Sequence, residues 1–356
     1  MTGERASWTD LVRRVTAGEP VARVLGGPAA AERWTDFDWG VREHARTTWT
    51  GYEPGAVERL AERVRLRTGG GGYRAGLWTG ELALALCHPD GRIRALALTA
   101  GAQVPALLPL LLIRSTDWAP AVREEARALL PGALAAAGPA QLVDLVPLAL
   151  RLARRERGDR VPAQVTAAVE ELPAGDVGAL TAHPDRAARR FGVRLALRRG
   201  LLSPVALAAL AAADDDAVVQ QLCCDAALAG MGGTADPAVV APLLSARTPR
   251  VRAAGVTALR RAPGPERAEP FLVDRNAMVR ACARWVLRRH GADPVARYRA
   301  LCADPRGPVP PWAAVGLAES GSAAEDGPTL RALLEHPRET VRARAATGVR
   351  LLYGTP

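Results

Sequence analysis

The sequence predicts an all-α protein: a right-handed α-solenoid of about nine stacked helical hairpins. Three observations predict it. A short pattern recurs along the chain, the pattern has the apolar period of a helix, and helix-start residues precede it at a fixed offset.

The recurrence is anchored on Arg94, Arg123, Arg189, Gln220, Arg252, Arg280, Pro310 and Arg342. The gaps between them are 29, 66, 31, 32, 28, 30 and 32 residues, and 66 is two periods of 33. The residue before each anchor is Ile93, Val122, Ala188, Val219, Val251, Val279, Val309 or Val341. Three residues after it stand Ala97, Ala126, Gly192, Cys223, Gly255, Ala283, Ala313 and Ala345, all small. Seven after it the chain carries mostly apolar residues, among them Leu130, Leu259, Leu287, Leu317 and Val349. These offsets share one stripe of a helix with 3.6 residues per turn. The small residue is expected to let successive anchor-bearing helices approach closely.

The start of each anchor-bearing helix follows from its caps. Asp90, Asp185, Asp216, Thr248 and Asn276 lie four residues before an anchor, where a side-chain oxygen accepts from free N–H groups. Where that cap is missing, Pro120 takes the first helical position and Asp117 lies just upstream. Pro89, Pro184, Pro305 and Pro337 shape the preceding turn. Each repeat is thus a first helix, a tight turn and a second helix. Alone it cannot bury its apolar faces, so neighbours must stack.

Segments such as HPDGRIRALAL, HPDRAARRFGV, RTPRVRAAGVTAL and HPRETVRARAA resemble HEAT-like repeats of the PBS-lyase type, over residues 80–353. The resemblance implies an α-solenoid and an interaction scaffold, without a cofactor. Two places depart from it. Pro310 and Pro311 replace the arginine anchor, so that helix is expected to start late or be distorted. Between Arg123 and Arg189 one repeat has no clear anchor, and Pro162 is expected to open its second helix.

Residues 1–80 fall outside the register and hold Trp8, Trp34, Trp39, Trp49 and Trp78, five of the eight tryptophans. They are expected to form a helical cap before a repeat array over 81–356. A binding module built on the tryptophans is the alternative.

Composition excludes several chemistries. All 47 basic residues are arginine, against 37 acidic ones, for a net charge of +10. Without lysine there is no P-loop lysine and no Schiff base. The scarcity of Asn and Ile beside abundant Ala, Gly, Pro and Arg attributes part of the arginine excess to codon bias. Five cysteines without CxxC spacing give no disulfide framework. The first residues lead to no apolar signal region, and Pro105 and Pro109 break the uncharged run Ala95–Ile113. The chain reads as soluble and cytoplasmic, with no membrane partner.

His88, His183 and His336 all lie six residues before an anchor and read as turn residues rather than a metal ladder. Gly70–Ala75 matches GxGxxA but follows a helical pattern, so it reads as a loop. Asp214–Asp216 reads as a cap. The anchor arginines, with aspartates in the turns, are expected to bridge neighbouring repeats.

No catalytic, cofactor or metal residue is assigned. Two candidate binding features remain. Arg198, Arg199, Arg260, Arg261, Arg288, Arg289 and Arg350 sit at the ends of second helices and are expected to line one rim. Cations there also suit the helix dipole. Asp117 with Trp118 in a turn, and Trp285, offer aromatic contacts. The function expected is a scaffold whose curved face or rim binds a macromolecule, most simply a protein. The alternative is nucleic-acid binding. HEAT-like alkylpurine DNA glycosylases share the architecture, and Asp117, Trp118 and Trp285 would be the candidates for lesion contact.

Overall fold

A computed structural model describes residues 8–27, 30–48, 75–158, 160–304 and 307–354. Trp49, the side chain of Trp78, Pro305 and the Gly69–Gly72 loop lie outside them. Among the described residues the secondary structure is helical throughout, with no strand. The chain forms two compact units, Met1–Ala196 and Leu197–Pro356.

In the N-terminal unit, α1 (Trp8–Thr16), α2 (Val21–Leu25) and α3 (Ala30–Thr48) precede four helical pairs. The pairs are α4 (Ala75–Leu86) with α5 (Gly91–Ala102), α6 (Leu108–Arg114) with α7 (Pro120–Ala135), α8 (Pro139–Leu152) with α9 (Val161–Glu170), and α10 (Ala174–Thr181) with α11 (Arg186–Arg198). Helix α9 opens with Pro162 in its first turn, as the sequence predicts. The N-terminal helices do not simply close the end of a stack. Helices α1 and α2 touch α4, while α3 packs on α6 and α8, so together they lie over the first helices of three successive pairs. Trp34, Phe37 and Val41 supply the buried face of α3.

In the C-terminal unit, the pairs are α12 (Pro204–Ala213) with α13 (Ala217–Gly230), α14 (Pro237–Ser245) with α15 (Pro249–Ala258), α17 (Pro294–Cys302) with α18 (Pro311–Ser320), and α19 (Ala323–Ala332) with α20 (Glu339–Tyr353). Before α16 (Ala277–Arg289) a short 3-10 turn, Glu269–Val273, stands where a first helix is expected. Pro263, Pro265 and Pro270 leave that stretch no room for a regular helix. Helix α18 starts late. Pro310, in the anchor position, lies at its N-cap instead of one turn inside.

Aspartate and asparagine caps form as the sequence dictates. Asp90, Asp185, Asp216 and Asn276 each accept from backbone N–H groups two or three residues on. Thr248 is the exception: it makes no side-chain cap, and its hydroxyl accepts from Gln220 instead.

All eight small residues at offset three are buried. At the two glycines among them the neighbour is not the one expected. A Cβ on Gly192 would lie 2.5 Å from Leu180 Cβ and 2.7 Å from its carbonyl carbon. One on Gly255 would lie 2.9 Å from Leu243 Cβ. Leu180 and Leu243 belong to the first helix of the same pair, so at these two sites the small residue closes the hairpin internally. Close approach between second helices falls at Gly348 of α20, where a Cβ would stand 2.9 Å from the carbonyl oxygen of Ala314 in α18.

Candidate functional site

The anchor residues set the local geometry. The Nη1 group of Arg94, Arg123, Arg189, Arg252 and Arg342 donates to the carbonyls six and five residues before it, and so closes the turn that leads into its own helix. Arg280 and Gln220 donate to the carbonyl six before. Position minus six adds a second lock. There the side chains of His88, Asp117, His183, Asp214, Asp274 and His336 each accept the N–H two residues on, at 2.7–3.0 Å.

Where position minus six is aspartate, the anchor of the preceding repeat can also reach it. Arg94 grips Asp117 bidentately, at 3.0 and 2.8 Å. Arg252 grips Asp274 in the same way, at 2.9 and 3.0 Å. Such fork-to-fork pairs fix register as well as energy. Arg280 takes Glu319 instead, and Gln220 takes Thr248. The bridging ladder is therefore present at these four anchors, but its acceptors vary: Asp117 and Asp274 lie six before the next anchor, Thr248 lies four before it, and Glu319 lies on α18.

The histidines fit the turn reading. Each Nδ1 is an acceptor within its own turn, and Nε2 of His336 lies 3.0 Å from the Gly307 carbonyl, which requires a proton on Nε2. Burial lowers the pKa of His88 and favours the neutral ring. With Nδ1 engaged, the three rings are spent locally. We expect no stoichiometric zinc, nickel or iron on the purified protein; metal that is lost on replacing all three by Ala would refute this reading. Among the described residues no cluster of three or more metal-ligating side chains occurs.

Asp117 lies inside the N-terminal unit and offers no free carboxylate. Its side chain is fully buried between Arg94 and Arg114, and Arg114 continues the chain of charge to Asp38 on α3. Arg42 holds the other side of Asp38. Burial pushes the Asp117 pKa up, but the Arg114 charge and the Arg94 bonds outweigh it and leave the value lowered. Trp118 beside it is exposed, with its ring 5.5 Å from the Arg94 guanidinium carbon. In the other unit Trp312 does the equivalent, lying 5.2 Å from that of Arg280 and 3.9 Å from that of Arg344. These stacks cover an anchor arginine with an aromatic face from the next repeat.

The four buried cysteines are not poised for chemistry. Burial pushes Cys223 and Cys302 up to about 12 and Cys224 up to about 11, and Cys87 is raised by burial and by the nearby Asp38.

The predicted rim divides. Arg198, Arg199, Arg260, Arg288, Arg289 and Arg350 are exposed. Arg261 instead turns back, and its Nη1 donates to the carbonyls of Leu228 and Gly232 at the end of α13. It satisfies a neighbouring helix terminus. Trp285 is on the C-terminal unit, on α16, with Met278 two turns before it; both are exposed. Met278 has no place in the sequence reading, because a single methionine in an amphipathic pattern gives no signal until burial is known. No described helix is long and apolar enough to cross a membrane.

No protein-family profile matches this sequence, and no curated protein does. Among solved structures the chain is similar to Kap121p at 14% identity, with a TM-score of 0.31 for a mutant of it and 0.30 for Kap121p alone and Kap121p bound to Pho4p. The alignments cover 97% of this chain and 45% of the other, so the chain spans less than half the length of these proteins.

Proposed function

We propose that this protein is a non-enzymatic, HEAT-like repeat scaffold that binds a macromolecular partner, a protein, through its curved face or rim. In this reading about nine hairpins form a right-handed cytoplasmic array over residues 81–356, with residues 1–80 as its helical cap. One observation carries the proposal. Six repeat turns are locked by their own side chains, whereas Arg260, Arg288, Arg289 and Arg350 project into solvent without a hydrogen bond or ion pair to any described residue. Surface charge of that kind is available for a partner.

Such charge also attracts polyanions weakly, so salt dependence separates a protein partner from nucleic acid. The test is fluorescence anisotropy of a short DNA duplex across a salt series. Wild type is compared with a variant in which Arg198, Arg199, Arg260, Arg261, Arg288 and Arg289 are replaced by Gln. We expect DNA binding to disappear by about 0.15 M salt, where exposed charges more than about 8 Å apart are screened. Submicromolar binding at that salt, abolished by the Gln variant, would overturn the protein-scaffold reading. Crosslinking and affinity purification of the intact chain from its host is expected to return a protein.

A further inference from the structure

We infer that α15 and α16 of the C-terminal unit form a docking face for an acidic peptide segment that carries large apolar side chains. This rests on the scaffold reading and names the chemistry of its partner.

The first observation is an exposed apolar seam on α16. Met278, Cys282, Trp285 and Arg289 are separated by four, three and four residues, so they share one face of α16. Met278 is 54% exposed and Trp285 46%. In α15 the same two columns hold Arg250 and Thr257, and in α20 they hold Thr340 and Thr347. In the repeat of α18 the columns hold Pro308 and the buried Val315, so α16 is where two large apolar side chains stand in water in these columns. Neither contributes to the core of the unit. Large apolar side chains that are exposed and have no packing return mark a contact surface.

The second observation is charge. Helices α15 and α16 contain no Asp or Glu. Of their arginines, Arg252 is held by Asp274, while Arg280 and Arg284 are held by Glu319. Arg250, Arg288 and Arg289 remain exposed, with no hydrogen bond or ion pair among the described residues. Arg288 and Arg289 lie one turn beyond Trp285. Arg250 occupies on α15 the register position that Met278 has on α16, and the two helices pack against each other. The apolar seam is thus flanked by unpaired cations.

The seam runs two turns, about 10 Å along the helix axis. That suits two apolar side chains of one peptide, with carboxylates on either side meeting the arginines. A nucleic-acid backbone would satisfy the arginines but leave the Met278 thioether covered by polar groups. The complementary partner is an acidic, apolar peptide.

The test is selection from a random 12-residue displayed peptide library on the intact protein at 0.15 M salt. Enriched sequences should combine Asp or Glu with Leu, Met or aromatic residues. Affinity of the best peptide, read by anisotropy, should fall about tenfold or more in Met278→Ser with Trp285→Ser, and separately in Arg288→Gln with Arg289→Gln. All four side chains are exposed, so thermal melts should match wild type. A basic or uncharged consensus, no binders at all, binding indifferent to both double variants, or tighter binding of a DNA oligonucleotide at that salt would each overturn the inference. If a host protein crosslinks to wild type and equally to both variants, the scaffold reading stands and this face is excluded. If wild type returns no protein, the scaffold reading itself fails.

Discussion

Replacing Asp117 by Ala is expected to destabilise the N-terminal unit by about 3–5 kcal/mol, the range for breaking a buried ion pair from one side. The side chains of Arg94 and Arg114 are 0% and 1% exposed, so the charges left behind cannot rehydrate without opening the fold. Ala119 N–H would lose its acceptor as well. At about 2–4 °C per kcal/mol for a unit of this size, thermal melts should drop by roughly 10 °C. Combining Asp117→Leu with Arg94→Met should recover part of the loss, because one of the two stranded arginines is then removed while Arg114 keeps Asp38. A fall of less than about 3 °C in the single variant would mean that water reaches the network. Acidity offers a check of sign. The folded pKa of Asp117 is lowered, so its contribution is present above the unfolded value near 4 and is lost as pH falls through the folded one. The melting difference between wild type and Asp117→Ala should therefore shrink below about pH 4.

The second large effect concerns Gly192. Its α-carbon sits against the end of α10, and an added methyl would meet both Cβ and the backbone of Leu180. Backbone cannot rotate away as a side-chain tip can, so Gly192→Ala should cost about 3 kcal/mol, at the upper end of overpacking penalties. Gly255→Ala meets its nearest atoms at 2.9–3.1 Å and should cost less, about 1 kcal/mol. Urea unfolding of both variants decides the order. If the two cost the same, the depth of the clash is not what governs the hairpin.

Most of the local structure can be read from residue order. Helix starts follow from Asp90, Asp185, Asp216, Asn276 and Pro162, because a cap acts on N–H groups two or three residues away. The turn-closing bonds of the arginines are just as local, five and six residues back, although the sequence reading assigns these residues only to bridges between repeats. The late start of α18 follows from two prolines. What depends on longer reach cannot be read in this way. Arg94 and Arg252 find the aspartate of the next turn, yet Arg280 crosses 39 residues to Glu319 and Arg261 reaches back to the end of α13. Which acceptor wins is decided by how the hairpins stack, because partners 22 to 39 residues apart meet only through packing.

The tryptophan-rich N-terminus shows the same limit. Its composition marks it as a packing segment, but only the tertiary structure lays α3 across α6 and α8 and buries Asp38 against Arg114. Exposure itself is the last such property. Trp285 can be picked out in the sequence as an aromatic residue off the core stripe, but only the packing of α16 decides that it and Met278 face water together. The physical reason is range. Periodicity, caps and prolines act within one or two turns and are written in neighbouring residues, whereas burial and ion pairing depend on which surfaces the stacked helices bring together.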